Sequence, residues 1–344
     1  MKKICFFDTK PYDKLYFDEF AQKYGFEMVY CESKLSEKSV VLAKGCDAVV
    51  AFVNDSVNAA VVRALLEMNI HIVAMRCAGY NNVDFKEAYG KLHIVRVPAY
   101  SPYAVAEFTI AMFLMLNRKL HRACNRVREY NFSLAGLVGT DFYGKTVGVV
   151  GTGKIGQVFM DICLGFGMKV LAYDPYPKER EGVRYVSFEE LCKNSDMISL
   201  HCPLTKESYH IVDEGAIRNM KKGVAIVNTS RGALIDSAAL IEGLKDGKVG
   251  AAGLDVYEEE GDFFYEDYSG EILQDDELVR LIAMPNVLVT SHQAFLTEEA
   301  LRNIAETTTE NLRQYFAGEP LPNEVCYRCS KNNICKKEHK DRCF

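Results

Sequence analysis

Three side chains in the second half of the chain could together reduce a carbonyl group that neighbours a carboxylate. Arg231, Glu260 and His292 follow one another along the chain, each at or just after the end of a short apolar run. An arginine can hold a carboxylate through two parallel hydrogen bonds and keeps its charge at physiological pH. A histidine can donate a proton near neutrality, and a neighbouring carboxylate orients its ring and favours its protonated form. The set predicts the reduction of a 2-oxo acid.

Each of these residues also has a simpler explanation when it is taken alone. An arginine at the end of a strand often forms a surface ion pair. Glu260 closes an acidic run, residues 258–260, that is typical of a solvated face. A single histidine is more often a structural polar residue than a catalyst. The catalytic interpretation depends on the shared placement, because ligands of open α/β sheets bind at the carboxyl ends of the strands.

The glycine pattern of residues 151–156, Gly-Thr-Gly-Lys-Ile-Gly, predicts a dinucleotide as the source of the hydride. The pattern follows an apolar run and precedes a helical one, which is the context that the motif requires. Gly151 allows a tight turn, Gly153 lets the backbone approach a pyrophosphate, and Gly156 permits close packing of helix on strand. The N-terminus of the helix adds N–H donors and the positive end of its dipole.

The choice between the two nicotinamide cofactors depends on Asp174, which ends the next predicted strand. A carboxylate there accepts hydrogen bonds from ribose hydroxyls and repels a 2′-phosphate, so NAD is favoured over NADP. Without a cofactor, the same glycines could simply make a tight turn in an α/β fold. His201 also ends a strand, but no arginine or carboxylate follows it in a comparable way. It fits either the wall beneath the adenosine or a structural role.

Two series of alternating strands and helices are predicted to position these residues. In the first hundred residues, short apolar runs alternate with amphipathic stretches such as 13–24 and 57–68, which indicates βαβ units and a parallel sheet. The strands of this first series are predicted at residues 3–8, 27–31, 48–53, 72–75 and 93–97. A second series begins at Lys145, with strands predicted at residues 146–150, 169–173, 197–201, 224–228, 250–256 and 287–290.

Two further helices define the domain organisation. Ser101 and Pro102 are typical of an N-cap and a first helical position, and the pattern after them predicts one long helix to about Glu129. The helix is nearly all apolar at first and basic later, and a helix this long and apolar is usually buried between domains or subunits. A last helix, from Thr297 to about Phe316, is expected to return to the first domain. The prediction is a discontinuous substrate domain at residues 1–100 and 297–325. An NAD-binding domain at residues 101–296 is inserted into it, and a cysteine-rich tail follows at residues 326–344.

The composition narrows the partners and the compartment. The 344 residues suffice for two domains, and 49% hydrophobic with 26% charged residues are typical of a globular protein. A net charge of −6 argues against nucleic acid as the main partner. The sequence shows neither a secretory signal nor an apolar segment long enough to span a membrane, so a cytoplasmic location is expected. Eight of the 12 cysteines are scattered, as buried thiols are in a reducing compartment.

Seven ordered motifs resemble those of the D-isomer-specific 2-hydroxyacid dehydrogenases, and within that family most closely the bacterial fermentative D-lactate enzymes. The motifs lie at residues 76–84, 97–102, 151–156, 201–205, 228–233, 253–257 and 292–295. The resemblance covers residues 1 to 325. It implies an α/β protein whose Rossmann-type NAD-binding domain is inserted into a flavodoxin-like substrate domain. It also implies NADH-dependent reduction of pyruvate, D stereochemistry and a homodimer or homotetramer built on the cofactor domains.

The resemblance further implies a role for each matching residue. Arg231 would bind the substrate, His292 would be the acid and base, and Glu260 would be its partner. The substrate would also contact residues in the first domain and one after the histidine: Cys77, Ala78, Gly79, Tyr100 and Phe295. The cofactor would contact the glycine-rich loop and later strand ends, with the last of these near the nicotinamide: Gly151, Gly153, Lys154, Ile155, Gly156, Asp174, Cys202, Pro203, Thr229, Ser230 and Asp255.

Two alternatives for the activity stay open at this point. Phe295 and the aromatic run 263–265 could close a small pocket around a methyl group, but bulkier 2-oxo acids such as 2-oxoisocaproate or phenylpyruvate are not excluded. A protein that only binds NAD(H) and signals through its tail is a second alternative. The intact Arg231, Glu260 and His292 argue against it, because a sensor needs the cofactor site and not these three side chains.

The last 19 residues do not fit the pattern of the family. In a cytoplasmic protein, four clustered cysteines predict a metal site in preference to disulfides. The four are Cys326, Cys329, Cys335 and Cys343. Zinc and a [4Fe–4S] cluster both suit four thiolates, and the spacing of the first three favours iron slightly. A redox-labile tail without metal is the alternative.

Overall fold

The computed structural model describes residues 1–325, which form two units, each with its own parallel sheet. The first unit contains Met1–Ser101 and the segment that begins at Thr297, and the second contains Pro102–Leu296. None of the helices within residues 1–325 is long and apolar enough to cross a membrane.

The first unit contains a five-stranded sheet. Its strands, in the spatial order β2-β1-β3-β4-β5, are β1 (Lys2–Phe6), β2 (Phe26–Tyr30), β3 (Ala48–Ala51), β4 (Ile72–Met75) and β5 (His93–Arg96). The helices α1 (Pro11–Tyr24), α2 (Ala59–Glu67) and α3 (Phe85–Ala88) connect them. All residues of β3 and β4 are buried, as expected for central strands of a parallel sheet that is covered on both faces.

The second unit begins with α4 (Pro102–Arg118) and α5 (Leu120–Arg128) and continues into a seven-stranded parallel sheet. The strands are β6 (Thr146–Val150), β7 (Lys169–Tyr173), β8 (Val183–Tyr185), β9 (Met197–Leu200), β10 (Val224–Asn228), β11 (Val249–Leu254) and β12 (Val287–Val289). Their order is β12-β11-β10-β9-β6-β7-β8, so the direction of winding reverses between β6 and β9. Such a reversal opens a crevice at the carboxyl ends of the strands.

Five further helices cover the two faces of this sheet: α6 (Lys154–Gly165), α7 (Phe188–Asn194), α8 (Glu214–Asn219), α9 (Ser237–Lys245) and α10 (Asp276–Ala283). One core contains Leu191, Ile217 and Leu240, and the other contains Phe113 and Phe159. Burying a side chain such as Phe159 stabilises the fold by about 1.5–3 kcal/mol. The last helix, α11 (Glu298–Phe316), returns to the first unit, where its Asn311 donates a hydrogen bond to the carbonyl of Arg96.

Two predicted features differ from the structure. The single long helix expected to reach Glu129 is two helices, because Lys119 adopts a left-handed conformation with φ of 51° and ends α4. The buried residues lie in α4, whereas none of the residues of α5, which contains most of the basic side chains of the predicted helix, is buried. The short edge strand β8 has no counterpart in the predicted series, since three residues are too few to establish a periodicity.

Candidate active site

The carboxyl ends of three neighbouring strands bring the predicted reaction centre to one edge of the sheet. Strands β10, β11 and β12 are adjacent and parallel. Arg231, Asp255 and His292 each follow one of these strands within three residues. The glycine-rich loop 151–156 follows β6 at the same edge, where the strand order reverses.

His292 and Glu260 form a direct pair. The Nδ1 atom of His292 lies 2.8 Å from Oε1 of Glu260, and the backbone N–H of Tyr257 donates to Oε2 of the same carboxylate at 3.0 Å. Both side chains stay partly open, with 16% and 15% of their surface exposed. Within residues 1–325, Nε2 of His292 has no hydrogen-bond partner. The ring is therefore oriented by one nitrogen and presents the other to a reactant.

The turn that carries His292 is held by Asp255. This carboxylate is fully buried and accepts hydrogen bonds from Oγ1 of Thr290 and from the backbone N–H groups of Gln293 and Ala294, at 2.6, 2.9 and 2.9 Å. His292 has φ of 51°, which is uncommon for a residue with a side chain. Burial raises the pKa of Asp255, although these hydrogen bonds oppose the shift. Because the carboxylate is engaged in the turn, its visible role is to fix the conformation of His292.

Tyr265 supports His292 from a second side. Its hydroxyl donates to the carbonyl of His292 at 3.0 Å, and the two rings are nearly parallel with centroids 6.2 Å apart. The sequence suggested the aromatic run 263–265 only as a wall of a small pocket. No local pattern could have paired Tyr265 with a histidine 27 residues later. Phe295, the predicted substrate contact, is 7% exposed.

Arg231 lies on the neighbouring strand end. Its Nη1 donates to the carbonyl of Ser230 at 2.6 Å, and Nδ2 of Asn228 donates to the carbonyl of Arg231 at 2.7 Å. The next residue is Gly232, where an added Cβ would lie 2.1 Å from the backbone of Tyr257. That close approach ties the Arg231 segment to the turn that leads to Glu260. Within the described residues, the structure shows no direct contact between Arg231 and His292.

The glycine-rich loop has the geometry that a pyrophosphate needs. Gly151 has φ of 93°, and a Cβ there would meet the backbone of Cys202 at 2.6 Å. A Cβ at Gly156 would lie 2.2 Å from the carbonyl of Gly151, whereas Gly153 faces open space. Helix α6 begins directly afterwards at Lys154, with Ile155 half-buried behind it. The N–H groups of the first turn are thus free to bind an anion.

Asp174 closes the far side of the loop. Its Oδ2 accepts hydrogen bonds from the N–H and the hydroxyl of Thr152, and its Oδ1 accepts from the N–H of Tyr176. Partial burial alone would raise the pKa of Asp174, but these hydrogen bonds outweigh it and the pKa is lowered. Asp174 therefore stays ionised, and a carboxylate has more than one lone pair on each oxygen to offer to a ribose.

The other predicted cofactor residues lie at the ends of β9 and β10. The hydroxyl of Ser230 donates to the carbonyl of Cys202 at 2.7 Å, and Thr229 shares a 2.9 Å hydrogen bond with Thr109. Pro203 follows Cys202 on the exposed side. His201 lies 2.8 Å from the hydroxyl of Ser199, and burial lowers the pKa of His201 to about 3. His201 is neutral near pH 7, which fits the structural alternative.

The predicted substrate residues of the first unit cluster after β4 and β5. Arg96 donates to the carbonyl of Ala78 at 2.7 Å, and the thiol of Cys77 donates to the carbonyl of Gly79 at 3.2 Å. The carbonyl of Tyr100 accepts from Nδ2 of Asn303 at 2.7 Å. These contacts shape a fixed backbone turn at the carboxyl ends of the strands.

A buried charged cluster beneath that turn was not predicted. Arg76 is 2% exposed, and its guanidinium carbon lies 3.9 Å from the centroid of the Phe52 ring. It donates to the carbonyl of Asp8 at 2.8 Å and lies 3.4 Å from a carboxylate oxygen of Asp13. Burial raises the pKa of Asp55 nearby to about 7. A lone arginine inside a motif gave no sequence signal for this cluster, since its partners come from distant segments.

The predicted metal ligands Cys326, Cys329, Cys335 and Cys343 lie outside the described residues. Within residues 1–325, no group of three or more histidine, cysteine, aspartate or glutamate side chains could hold a metal ion.

Known proteins share both the sequence and the fold. Residues 110–294 match the family described as D-isomer specific 2-hydroxyacid dehydrogenase, NAD binding domain. D-lactate dehydrogenase of Escherichia coli (strain K12) is 52% identical over 327 residues, which are 94% of this chain and 99% of the relative.

Solved structures give the same result. The apo structure of D-lactate dehydrogenase from Escherichia coli has a TM-score of 0.85 at 50% identity, and covers 94% of this chain and 99% of its own. A structure of D-2-hydroxyisocaproate dehydrogenase has a TM-score of 0.82 at 34% identity, with the same coverage. The chain therefore belongs to the D-isomer-specific 2-hydroxyacid dehydrogenase family.

Proposed function

We propose that this protein is an NAD-dependent D-lactate dehydrogenase, which reversibly reduces pyruvate to D-lactate with NADH. The observation that carries the proposal is the 2.8 Å contact between Nδ1 of His292 and Oε1 of Glu260. This pair lies at the sheet edge that also carries the dinucleotide loop. A protein that only binds NAD(H) has no need of an oriented histidine with one open nitrogen.

The chemistry assigns one task to each side chain. The guanidinium of Arg231 binds the carboxylate of the 2-oxo acid and polarises its carbonyl. Because Nδ1 of His292 faces Glu260, the transferable proton resides on Nε2. His292 donates that proton to the carbonyl oxygen during reduction and accepts it back from the hydroxyl during oxidation. Glu260 stabilises the imidazolium, and Asp255 keeps the turn in its strained conformation.

NAD fits the residues that are present. The open space at Gly153, the close approach at Gly151 and the start of α6 suit a pyrophosphate. Asp174 suits an unphosphorylated ribose and would repel a 2′-phosphate. When bound, NADH supplies the hydride. The residues at the ends of β9 and β10 and the segment around Asp255 complete the proposed cofactor contacts.

Pyruvate is preferred to bulkier 2-oxo acids in this proposal. The support is the greater similarity to a D-lactate dehydrogenase, at 52% identity, than to a D-2-hydroxyisocaproate dehydrogenase, at 34%. Phe295, three residues after His292, and Phe264, next to the Tyr265 that donates to the carbonyl of His292, are both nearly buried. Cys77, Ala78, Gly79 and Tyr100 are proposed to complete the substrate contacts.

The same proposal includes a homodimer or homotetramer formed through the second unit. Helix α5 buries none of its residues, and the segment after it exposes large apolar side chains. Tyr130, Phe132 and Leu134 are 85%, 70% and 80% exposed. Apolar exposure on this scale is typical of a subunit contact. Light scattering of a Phe132→Ser, Leu134→Ser double variant should show a smaller particle than the wild type, and an unchanged mass would remove this segment from the interface.

We also retain two proposals that rest on cysteine usage. A cytoplasmic location agrees with the eight free thiols among residues 1–325. A four-cysteine site for zinc or a [4Fe–4S] cluster is proposed for Cys326, Cys329, Cys335 and Cys343. Metal analysis and the visible spectrum of protein purified without oxygen distinguish the two metals. Less than about a tenth of an equivalent of either would refute the site.

The activity is tested by following NADH oxidation with pyruvate, 2-oxoisocaproate and phenylpyruvate as separate substrates. The proposal predicts the highest kcat/KM with pyruvate and a product that is D-lactate. A higher value with a larger acid would replace the substrate but keep the mechanism. No turnover with any of the three, in protein that demonstrably binds NADH, would contradict the enzymatic function.

A further inference from the structure

The seven-stranded sheet has a cavity with both charged and apolar walls at the edge opposite the proposed reaction centre. This cavity, of about 320 Å³, opens where β6, β9, β10 and β11 begin. Residues 151–156, His201, Arg231 and His292 all follow the other ends of the strands. The cavity is therefore separate from the cofactor and substrate sites by the full length of the strands.

Four lysines from three segments line this cavity and are opposed by one aspartate. They are Lys119, Lys145, Lys221 and Lys222, and the aspartate is Asp196. Lys221 forms an ion pair with Asp196 at 2.9 Å, and Lys119 donates to the carbonyl of Val138 at 2.7 Å. Within residues 1–325, the ammonium groups of Lys145 and Lys222 have neither a hydrogen bond nor an ion pair within 4.0 Å, although Lys145 interacts electrostatically with Asp196. The lining thus carries an excess of positive charge.

The walls of the cavity differ from an ordinary solvated lysine patch. Phe113, Leu116 and Phe142 are 1%, 5% and 5% exposed and form an apolar back wall. Low-dielectric walls concentrate the field of nearby charges and raise the local concentration of counter-ions. The volume also lies in the range of small-molecule sites. A small anion bound in the cavity would offset the excess positive charge that lies beside the apolar wall.

The side chains of the lining also indicate which anion. A phosphate group carries a charge of about −1.5 to −2 and three strong acceptor oxygens, whereas a carboxylate carries a single charge. Several ammonium groups around one cavity match the charge of a phosphate better than that of a carboxylate, and lysine is a common phosphate ligand. We propose that this cavity binds a small phosphate-bearing anion, with Lys145 and Lys222 as its principal contacts.

The test is calorimetric titration of the full chain, saturated with NADH so that the dinucleotide loop is occupied. Inorganic pyrophosphate and phenyl phosphate are the two probes, at constant ionic strength. One pyrophosphate or phenyl phosphate should bind per chain in addition to NADH. Tighter binding of pyrophosphate would assign the site to an inorganic anion. Tighter binding of phenyl phosphate would assign it to an organic phosphate whose apolar part contacts the wall.

The double variant Lys145→Ala, Lys222→Ala should weaken binding of the tighter probe roughly tenfold. The matched control is Lys193→Ala, Lys245→Ala, which removes the same charge from the ends of α7 and α9 and should change the affinity less than about twofold. Equal weakening in both double variants, or no binding to the wild type, would overturn the proposal. So would a change of oligomeric state in the first double variant without a change in affinity, because the lysines would then belong to a subunit contact. These readouts do not depend on turnover, so they stand apart from the proposed dehydrogenase activity.

Discussion

Both sheets carry ionisable side chains at the carboxyl ends of their strands, but the His292–Glu260 pair of the seven-stranded sheet is partly open, whereas the Arg76 cluster of the five-stranded sheet is sealed. The side chains of His292 and Glu260 are 16% and 15% exposed. In the five-stranded sheet, Arg76 and Asp8 are 2% and 0% exposed. A sealed charge cannot reach a reactant, whereas a partly open one can.

The difference shows that the carboxyl ends of parallel strands can hold either an open pair of side chains or a buried structural cluster. At the open edge, hydrogen bonds orient a histidine and leave one nitrogen for chemistry. At the sealed edge, Arg76 binds the backbone of Asp8 and stacks on Phe52, and the turn of Cys77 to Gly79 follows directly after it. The buried charges thus shape the backbone that is proposed to receive the substrate carboxylate.

Replacing the arginine of the open edge should affect activity more than stability. Arg231→Met is expected to lower kcat/KM for pyruvate by roughly 10²–10³-fold, because the charge that binds the carboxylate and polarises the carbonyl is lost. The melting temperature should change little, since within residues 1–325 the guanidinium donates to a single carbonyl. Steady-state kinetics and thermal unfolding measure the two effects, and near-normal kcat/KM would exclude Arg231 from substrate binding.

The same change at the sealed edge should affect stability more than chemistry. Arg76→Met leaves Asp13 without its buried counter-charge and Asp8 with Lys10 as its remaining cation, and should lower the free energy of unfolding by about 3–5 kcal/mol. Adding Asp13→Asn to this variant should recover part of the loss. Chemical denaturation measures both. If Arg76→Met proved as stable as Arg231→Met, the contrast between the two edges would be wrong.

Removing the carboxylate partner should slow catalysis. In Glu260→Gln the His292 ring loses the anion that orients it and stabilises its charged form, so kcat for pyruvate reduction should fall by roughly 10²-fold. Glu259→Gln is the matched control, because Glu259 is exposed and only one position away. Steady-state kinetics measures both variants, and an equal fall in both would point to general surface charge instead of the pair.

A smaller effect concerns stability in acid. The unfolded chain takes up a proton at His201 below its ordinary pKa of 6.5, but burial lowers the pKa of the folded His201 to about 3. The folded state is therefore the less protonated one between these values, and its stability falls as pH is lowered through this window. His201→Asn should lose less stability than the wild type between pH 7 and pH 5, by at most about 2 kcal/mol. Equal losses in denaturant titrations would contradict the assignment.

Strand positions could be predicted well where an apolar run has clear ends in the sequence. The runs at residues 72–75, 146–150, 169–173 and 224–228 match strands of the structure end to end. The break at Lys119 could not be predicted, because a left-handed lysine leaves no pattern in the sequence.

The residue types that carry the chemistry of the site could be predicted, but most of the contacts that hold them in place could not. The pairing of Glu260 with His292 followed from placement at strand ends. The parts played by Tyr265 and Asp255 in fixing His292 depend on a folded turn that brings distant residues together. The cluster around Arg76 was invisible for the same reason, because its acidic partners come from segments more than 60 residues away in the chain.

The role of the His292–Glu260 pair is tested most directly by single-turnover pyruvate reduction in His292→Ala protein with NADH already bound. If His292 donates the proton, the rate of hydride transfer should fall by roughly 10²–10⁴-fold while the dissociation constant of NADH stays within about twofold. Undiminished hydride transfer with normal NADH binding would show that the proton comes from elsewhere, and would contradict the role of the His292–Glu260 pair.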